Sequence, residues 1–172
     1  MSGRADVVHG FGSGLERSSG IGPASKGSTV TAPWPLNDTL TLGALPTAVA
    51  SARAHARQVA SEWAMANMAD TIALVVSELV TNAVAASSDG NGQPRYSARG
   101  LPVVHLRLLS DQTRIVVAVW DEGTGVPMQK SPETDAEEGR GLQLIDALCV
   151  RWQWEIVPGW PGKVVWAELV VE

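Results

Sequence analysis

Residues 71–86 read TIALVVSELVTNAVAA, and this stretch limits the fold more than any other. At about 100° per residue, Ile72, Val75, Val76, Leu79, Ala83 and Val84 gather mostly on one stripe, the pattern of a helix buried along one side. Asn67 or Asp70 is placed to cap it, and it runs to about Ser88. Yet Glu78 and Asn82 lie one turn apart on an edge of that stripe. That edge is neither mid-core nor the far solvent face, and it is where a helix lines the wall of a pocket. Taken alone, the pair is explained equally well by boundary hydrogen bonds to a neighbouring loop.

The rest of the chain supplies the layer this helix needs. "TLTLG" alternates as a short strand ending at Gly43. Pro46 then opens an Ala-rich amphipathic helix that runs to about Met65. "SSDGNGQPRYSARG" is loop by composition. "VVHLRLLS" and "RIVVAVWD" alternate and are joined at hairpin length by "SDQT". A long polar connection follows Asp121, "GRGLQLIDALCV" returns to helix, and "RWQWEIVP" and "KVVWAELVVE" are two further strands. The order β-α-α-β-β-α-β-β predicts an α+β fold, a two-layer sandwich with a mostly antiparallel sheet and helices on one face. Trp152 and Trp154 share a face by alternation, so the late tryptophans are expected to pack against the helices.

Residues 1–38 are rich in Gly, Ser and Pro with no hydrophobic period. They are expected to form a disordered tail, with Trp34 its only anchor, and residues 39–172 one domain. A 172-residue chain that is 45% apolar has material for one ordinary core. The formal charge of −5 gives no overall attraction to nucleic acid. Cys149 stands alone, so no internal disulfide forms. No secretory signal is legible, and no uninterrupted apolar run approaches the roughly 18 residues of a membrane span. A soluble, cytoplasmic protein with no membrane contact is expected. His9, His55 and His105 lack metal-ligand spacing, and Arg53, His55 and Arg57 are expected to form a solvated or partner-facing edge.

Two further segments carry chemistry. In "WDEGTGVP", Asp121 ends an apolar strand, where a carboxylate accepts hydrogen bonds from an exocyclic amine such as that of adenine. Gly123 and Gly125 let backbone approach a ligand closely, or simply make a turn. In "EEGRGLQLI", Gly139 and Gly141 stand just before and at the start of a helix, whose N–H groups and dipole favour an anion. Arg140 adds a positive charge there or faces water. The spacing is neither a P-loop nor a dinucleotide-binding fingerprint.

In this order and on these elements, the three segments resemble the boxes of the histidine-kinase-like ATPases. "ELVTN" is similar to the N-box, "DEGTG" to the first glycine box and "GRGL" to the second. Within that superfamily, "VVSELVTNAV" with a short lid and "GRGLQLI" most resembles the bacterial anti-sigma-factor serine kinases. The small ATP-binding regulatory proteins of actinobacteria are the nearest likeness. The resemblance covers about residues 39–172 and implies a Bergerat-type ATP-binding fold. It implies Asn82 as ligand of Mg²⁺, Glu78 as the catalytic carboxylate, and Asp121 as the reader of adenine. Gly123 and Gly125 then lie beside the base, Gly139, Arg140, Gly141 and Leu142 on the phosphate side, and residues 126–138 form the lid. It further implies ATP and Mg²⁺ as cofactors, an anti-anti-sigma or sigma-factor-like protein as partner, and a homodimer. The expected activity is phosphorylation of that partner on Ser or Thr, the alternative being a non-catalytic ATP-sensing interaction module. Two departures stand out. Lys163 occupies the place of a Thr that holds the adenine end, which weakens one contact, and "DAEE" lies in the lid near the phosphates.

Overall fold

The computed structural model describes residues 34–98, 100–123, 125, 140–156 and 161–171. Five strands and three α-helices follow the expected order: β1 (Leu36–Gly43), α1 (Thr47–Glu62), α2 (Ala69–Ala86), β2 (Val103–Ser110), β3 (Arg114–Asp121), α3 (Arg140–Leu148), β4 (Arg151–Ile156) and β5 (Lys163–Val170). The strands form one sheet in the order β1-β2-β3-β5-β4, antiparallel at every pairing. This is the expected α+β sandwich.

Alternation assigns the two faces of the sheet. Val104, Leu106 and Leu108 of β2, Ile115, Val117 and Val119 of β3, and Val165, Ala167 and Leu169 of β5 point to one side. There they form the main core with Ile72, Val75, Val76, Leu79, Val80, Ala83 and Val84 of α2. Removing such aliphatic side chains from water stabilises by about 1.5–3 kcal/mol each. α1 lies against α2 through a row of small residues, Ala48, Ala52, Ala56 and Ala60, all buried. Residues Ala66–Ala86 meet the length and composition of a bilayer-crossing helix, with mean hydropathy 1.4, contrary to the expectation from apolar runs. In the fold, eight side chains of α2 are buried in the protein, so its apolar stripe is the core surface of a two-layer domain.

The other face of the sheet is covered as well. Trp34, Leu109, Val116, Ala118, Trp120, Val164 and Trp166 form a second buried cluster. Arg114 lies 5.4 Å from the centre of the Trp34 ring and Arg151 5.4 Å from that of Trp166, while Glu168 accepts hydrogen bonds from both guanidinium groups. Three expectations change here. β1 begins at Leu36, so Trp34 and residues 36–38 belong to the folded domain rather than to a tail; residues 1–33 lie outside the described residues. Trp166 packs on the face away from the helices. Trp152 does pack toward the helical core, but Trp154 is 36% exposed, and Trp160 lies outside the described residues.

The helix ends also differ from expectation. α1 stops at Glu62, because Ala64 takes φ 59° and the Met65 N–H turns back to the Ala60 carbonyl, closing the helix with a left-handed residue. Neither Asn67 nor Asp70 caps α2. Met68 holds the cap position without a side-chain bond, and Asp70 pairs across with Arg57 at 3.0 Å. His55 is not on a purely solvated edge: its Nε2 lies 2.5 Å from Asp38 Oδ1, tying α1 to β1.

Candidate functional site

Glu78, Asn82 and Ala86 stand at i, i+4 and i+8 on α2, so they form one ridge along the helix. The ends of that ridge are about 12 Å apart at 1.5 Å rise per residue. At its start, Glu78 reaches α3. A methyl group on Gly141 would collide with the Glu78 carboxylate, so the carboxylate lies directly on the first turn of that helix, its electropositive end. At the far end, Gly123 lies against Ala86. A Cβ on Gly123 would stand 2.7 Å from the Ala86 carbonyl oxygen and 2.8 Å from Asp121 Oδ1. Asn82 is exposed midway along the ridge, and Glu78 is half-buried. Neither makes a side-chain hydrogen bond to another described residue.

Asp121 closes the far end. It is the last residue of β3 and pairs directly with Lys163, the first residue of β5. Its Oδ1 accepts from the Gly123 N–H at 2.8 Å and from Lys163 Nζ at 2.8 Å. Lys163 Nζ also donates to the Gly123 carbonyl at 3.2 Å. Both side chains are sealed, at 5% exposure for Lys163 and 1% for Asp121. Burial pushes the Asp121 carboxyl above its usual range, and the lysine and the Gly123 N–H pull against that rise. Gly162 makes the arrangement possible. It takes φ 91°, and a side chain there would run into the Asp121 carbonyl oxygen.

The structure thus brings Glu78 and Gly141 together at one end of the ridge and Asp121 and Gly123 together at the other, with Asn82 between them. Gly125 is exposed with open space where a Cβ would be, so it makes no close approach of the kind seen at Gly123. Leu142 is 5% exposed and its side chain belongs to the core, leaving only its backbone to face a ligand. Arg140 begins α3. Gly139 and the lid, residues 126–138, lie outside the described residues.

The family model of the histidine kinase-like ATPase domain matches residues 42–168, well over half of the chain. The chain belongs to the histidine kinase-like ATPase family. No curated protein matches the chain. Membership of this ATPase family supports ATP binding, and the sandwich described above is consistent with its fold. Two features of the ATPase domain escaped the sequence reading. Lys163, whose place in the family pattern implies a weakened adenine contact, is the buried partner of Asp121. Gly162 was not singled out at all. The signal for Lys163 was parity: it is in phase with Val165, Ala167 and Leu169, so its side chain had to point inward.

Proposed function

We propose that this chain binds Mg-ATP and acts as a protein serine/threonine kinase of the anti-sigma type on an anti-anti-sigma-like partner. The observation that supports it most is the ridge of α2, which offers a carboxylate at a helix N-terminus, an amide one turn on, and a buried base-reading carboxylate at the far end. That span has the length scale of a nucleoside triphosphate. Asp121 accepts from the exocyclic amine of adenine, with Gly123 and Gly125 beside the base. The backbone at the start of α3, Arg140, Gly141 and Leu142, faces the phosphates.

The residues also suit the metal. Mg²⁺ takes few protein ligands and completes its shell with phosphate oxygens and water. One amide oxygen from Asn82 fits that need, and the described residues hold no cluster of three or more His, Cys, Asp or Glu. When bound, the ion neutralises phosphate charge. Glu78 accepts the proton of the partner's hydroxyl as that oxygen bonds to the γ-phosphorus and the bond from phosphorus to the ADP oxygen breaks. A cytoplasmic homodimer belongs to the same proposal.

The test uses calorimetric titration of Mg-ATP and transfer of labelled γ-phosphate to an anti-anti-sigma-like partner. Asn82→Ala is expected to abolish Mg-dependent binding. Glu78→Gln is expected to keep binding and lose transfer by at least about a hundredfold, within the usual range for general-base removal. ATP binding without transfer by the wild type, together with a change in partner affinity, establishes the ATP-sensing module instead.

A further inference from the structure

We infer that Lys163 is a positioning residue for the base: it clamps Asp121 Oδ1 so that Asp121 is held as an oriented acceptor for the exocyclic amine of a purine. The inference rests on the proposed placing of adenine at Asp121. It reverses the simple expectation that a lysine in this place costs a contact.

The geometry carries it. A carboxylate at 1% exposure is held against a lysine at 5% exposure, and an unpaired charge in such a place is costly. Both described bonds to Asp121, from the Gly123 N–H and from Lys163 Nζ, fall on Oδ1. Neither uses Oδ2, which is left for a ligand. The same Nζ holds the Gly123 carbonyl, so one ammonium group fixes both the carboxylate and the glycine beside the base. Lysine has three donors, and two of them define this corner.

Among the described residues, nothing else around Asp121 does this job. The cross-strand neighbour of Asp121 on β2 is Val104, and on β5 it is Lys163. From α2 the contact at Gly123 is Ala86, which is uncharged. Glu122 follows in sequence and acts on His105. Glu78 lies eight residues earlier on α2, against Gly141. Lys163 is therefore the positive group paired with this carboxylate. Without it, burial drives the carboxyl further up, and a proton then competes with the base amine for the acceptor.

The experiment measures Mg-ATP affinity of the full chain between pH 6 and 8 for the wild type, Lys163→Met, Lys163→Arg and the double variant Asp121→Asn with Lys163→Met. Each affinity is expressed as a ratio to wild type at the same pH, which cancels the titration of ATP itself. Lys163→Met is expected to bind at least about tenfold more weakly at pH 6, with the ratio recovering by about fivefold or more toward pH 8, as follows for a buried acid whose carboxyl has moved up. Lys163→Arg is expected to keep the ratio flat between pH 6 and 8, since it retains the charge, whatever affinity its larger planar group costs. The double variant binds weakly with a flat ratio and, lacking both charges, remains foldable if Lys163→Met does not. Binding by Lys163→Met as tight as wild type, or tighter, with a flat ratio overturns the inference and makes Lys163 an obstacle to the base. So does a double variant that binds as well as wild type. Absence of Mg-ATP binding by the wild type overturns the nucleotide-site proposal itself.

Discussion

At one end of the α2 ridge, Asp121, Gly123 and Lys163 are bonded to one another and shut away from solvent. At the other, Glu78 and Asn82 are half-buried and exposed, and make no described side-chain bond. The Asp121 end is assembled by folding itself, through a strand pairing and two close contacts. The Glu78 end, proposed for the phosphates, is a set of groups with unused capacity beside a helix terminus. A site divided in this way can fix where a base lies before any ligand arrives, while leaving the reacting end free to adapt to phosphate, metal and partner.

The most severe break in that contrast comes from Asp121→Ala. It leaves Lys163 buried without its anion and is expected to cost about 3–5 kcal/mol of stability, read as a lowered midpoint in urea unfolding. Gly123→Ala follows. Its methyl meets the Ala86 carbonyl oxygen at 2.7 Å, an overpacking expected to cost about 1–3 kcal/mol and to remove ATP binding in the same preparation. At the phosphate end the result should be the reverse. Glu78→Gln and Asn82→Ala are expected to change stability by less than about 0.5 kcal/mol, with melting temperatures close to wild type while Asn82→Ala loses Mg-dependent binding and Glu78→Gln loses transfer.

Two aspartates sharpen the comparison through pH. Asp111, in the β2–β3 hairpin, loses some hydration to burial. That effect is outweighed by its bonds from Thr113 and Arg114, and its carboxyl falls to about 2. Its stabilisation is therefore complete above its unfolded value near 3.8 and is lost as pH falls toward about 2. Asp121 moves the other way. With its carboxyl raised in the fold, stability grows as pH falls through that raised value and levels off below the unfolded one. Asp111→Asn is expected to flatten the acid side of the stability profile, and Asp121→Asn to remove the opposite slope above it, both measured by denaturant unfolding from pH 2.5 to 7.

Element order and the positions of Glu78, Asn82, Asp121 and Gly141 were legible because strand alternation and helical period survive in most of the chain. β1 was read short because Asp38 interrupts its apolar alternation. In the fold Asp38 keeps the inward phase and is satisfied by His55, a partner 17 residues away that no local pattern shows. Local sequence does not show the cap of α2, because Asp70 is used in the cross-helix pair with Arg57. Burial of the outer face was not legible either, since sheet sequences of this kind suggest one wet side and the covering role of Trp34 depends on where the chain enters. Lys163 shows the same limit most clearly. Its inward phase was readable from β5, but its partner lies on another strand.

Asp121 and Lys163 are 42 residues apart in the chain. Neither β3 nor β5 alone contains the base corner, and α3 and β4 lie between them. Closing that loop is an entropic step that must precede the contact it brings. On the proposed placing of the base at Asp121, the appearance of nucleotide affinity during refolding is expected to mark the docking of β5 onto β3, and a ligand that prefers the finished corner to hold the loop closed by mass action. A nucleotide bound there would be a reporter of folding and a brake on its reversal.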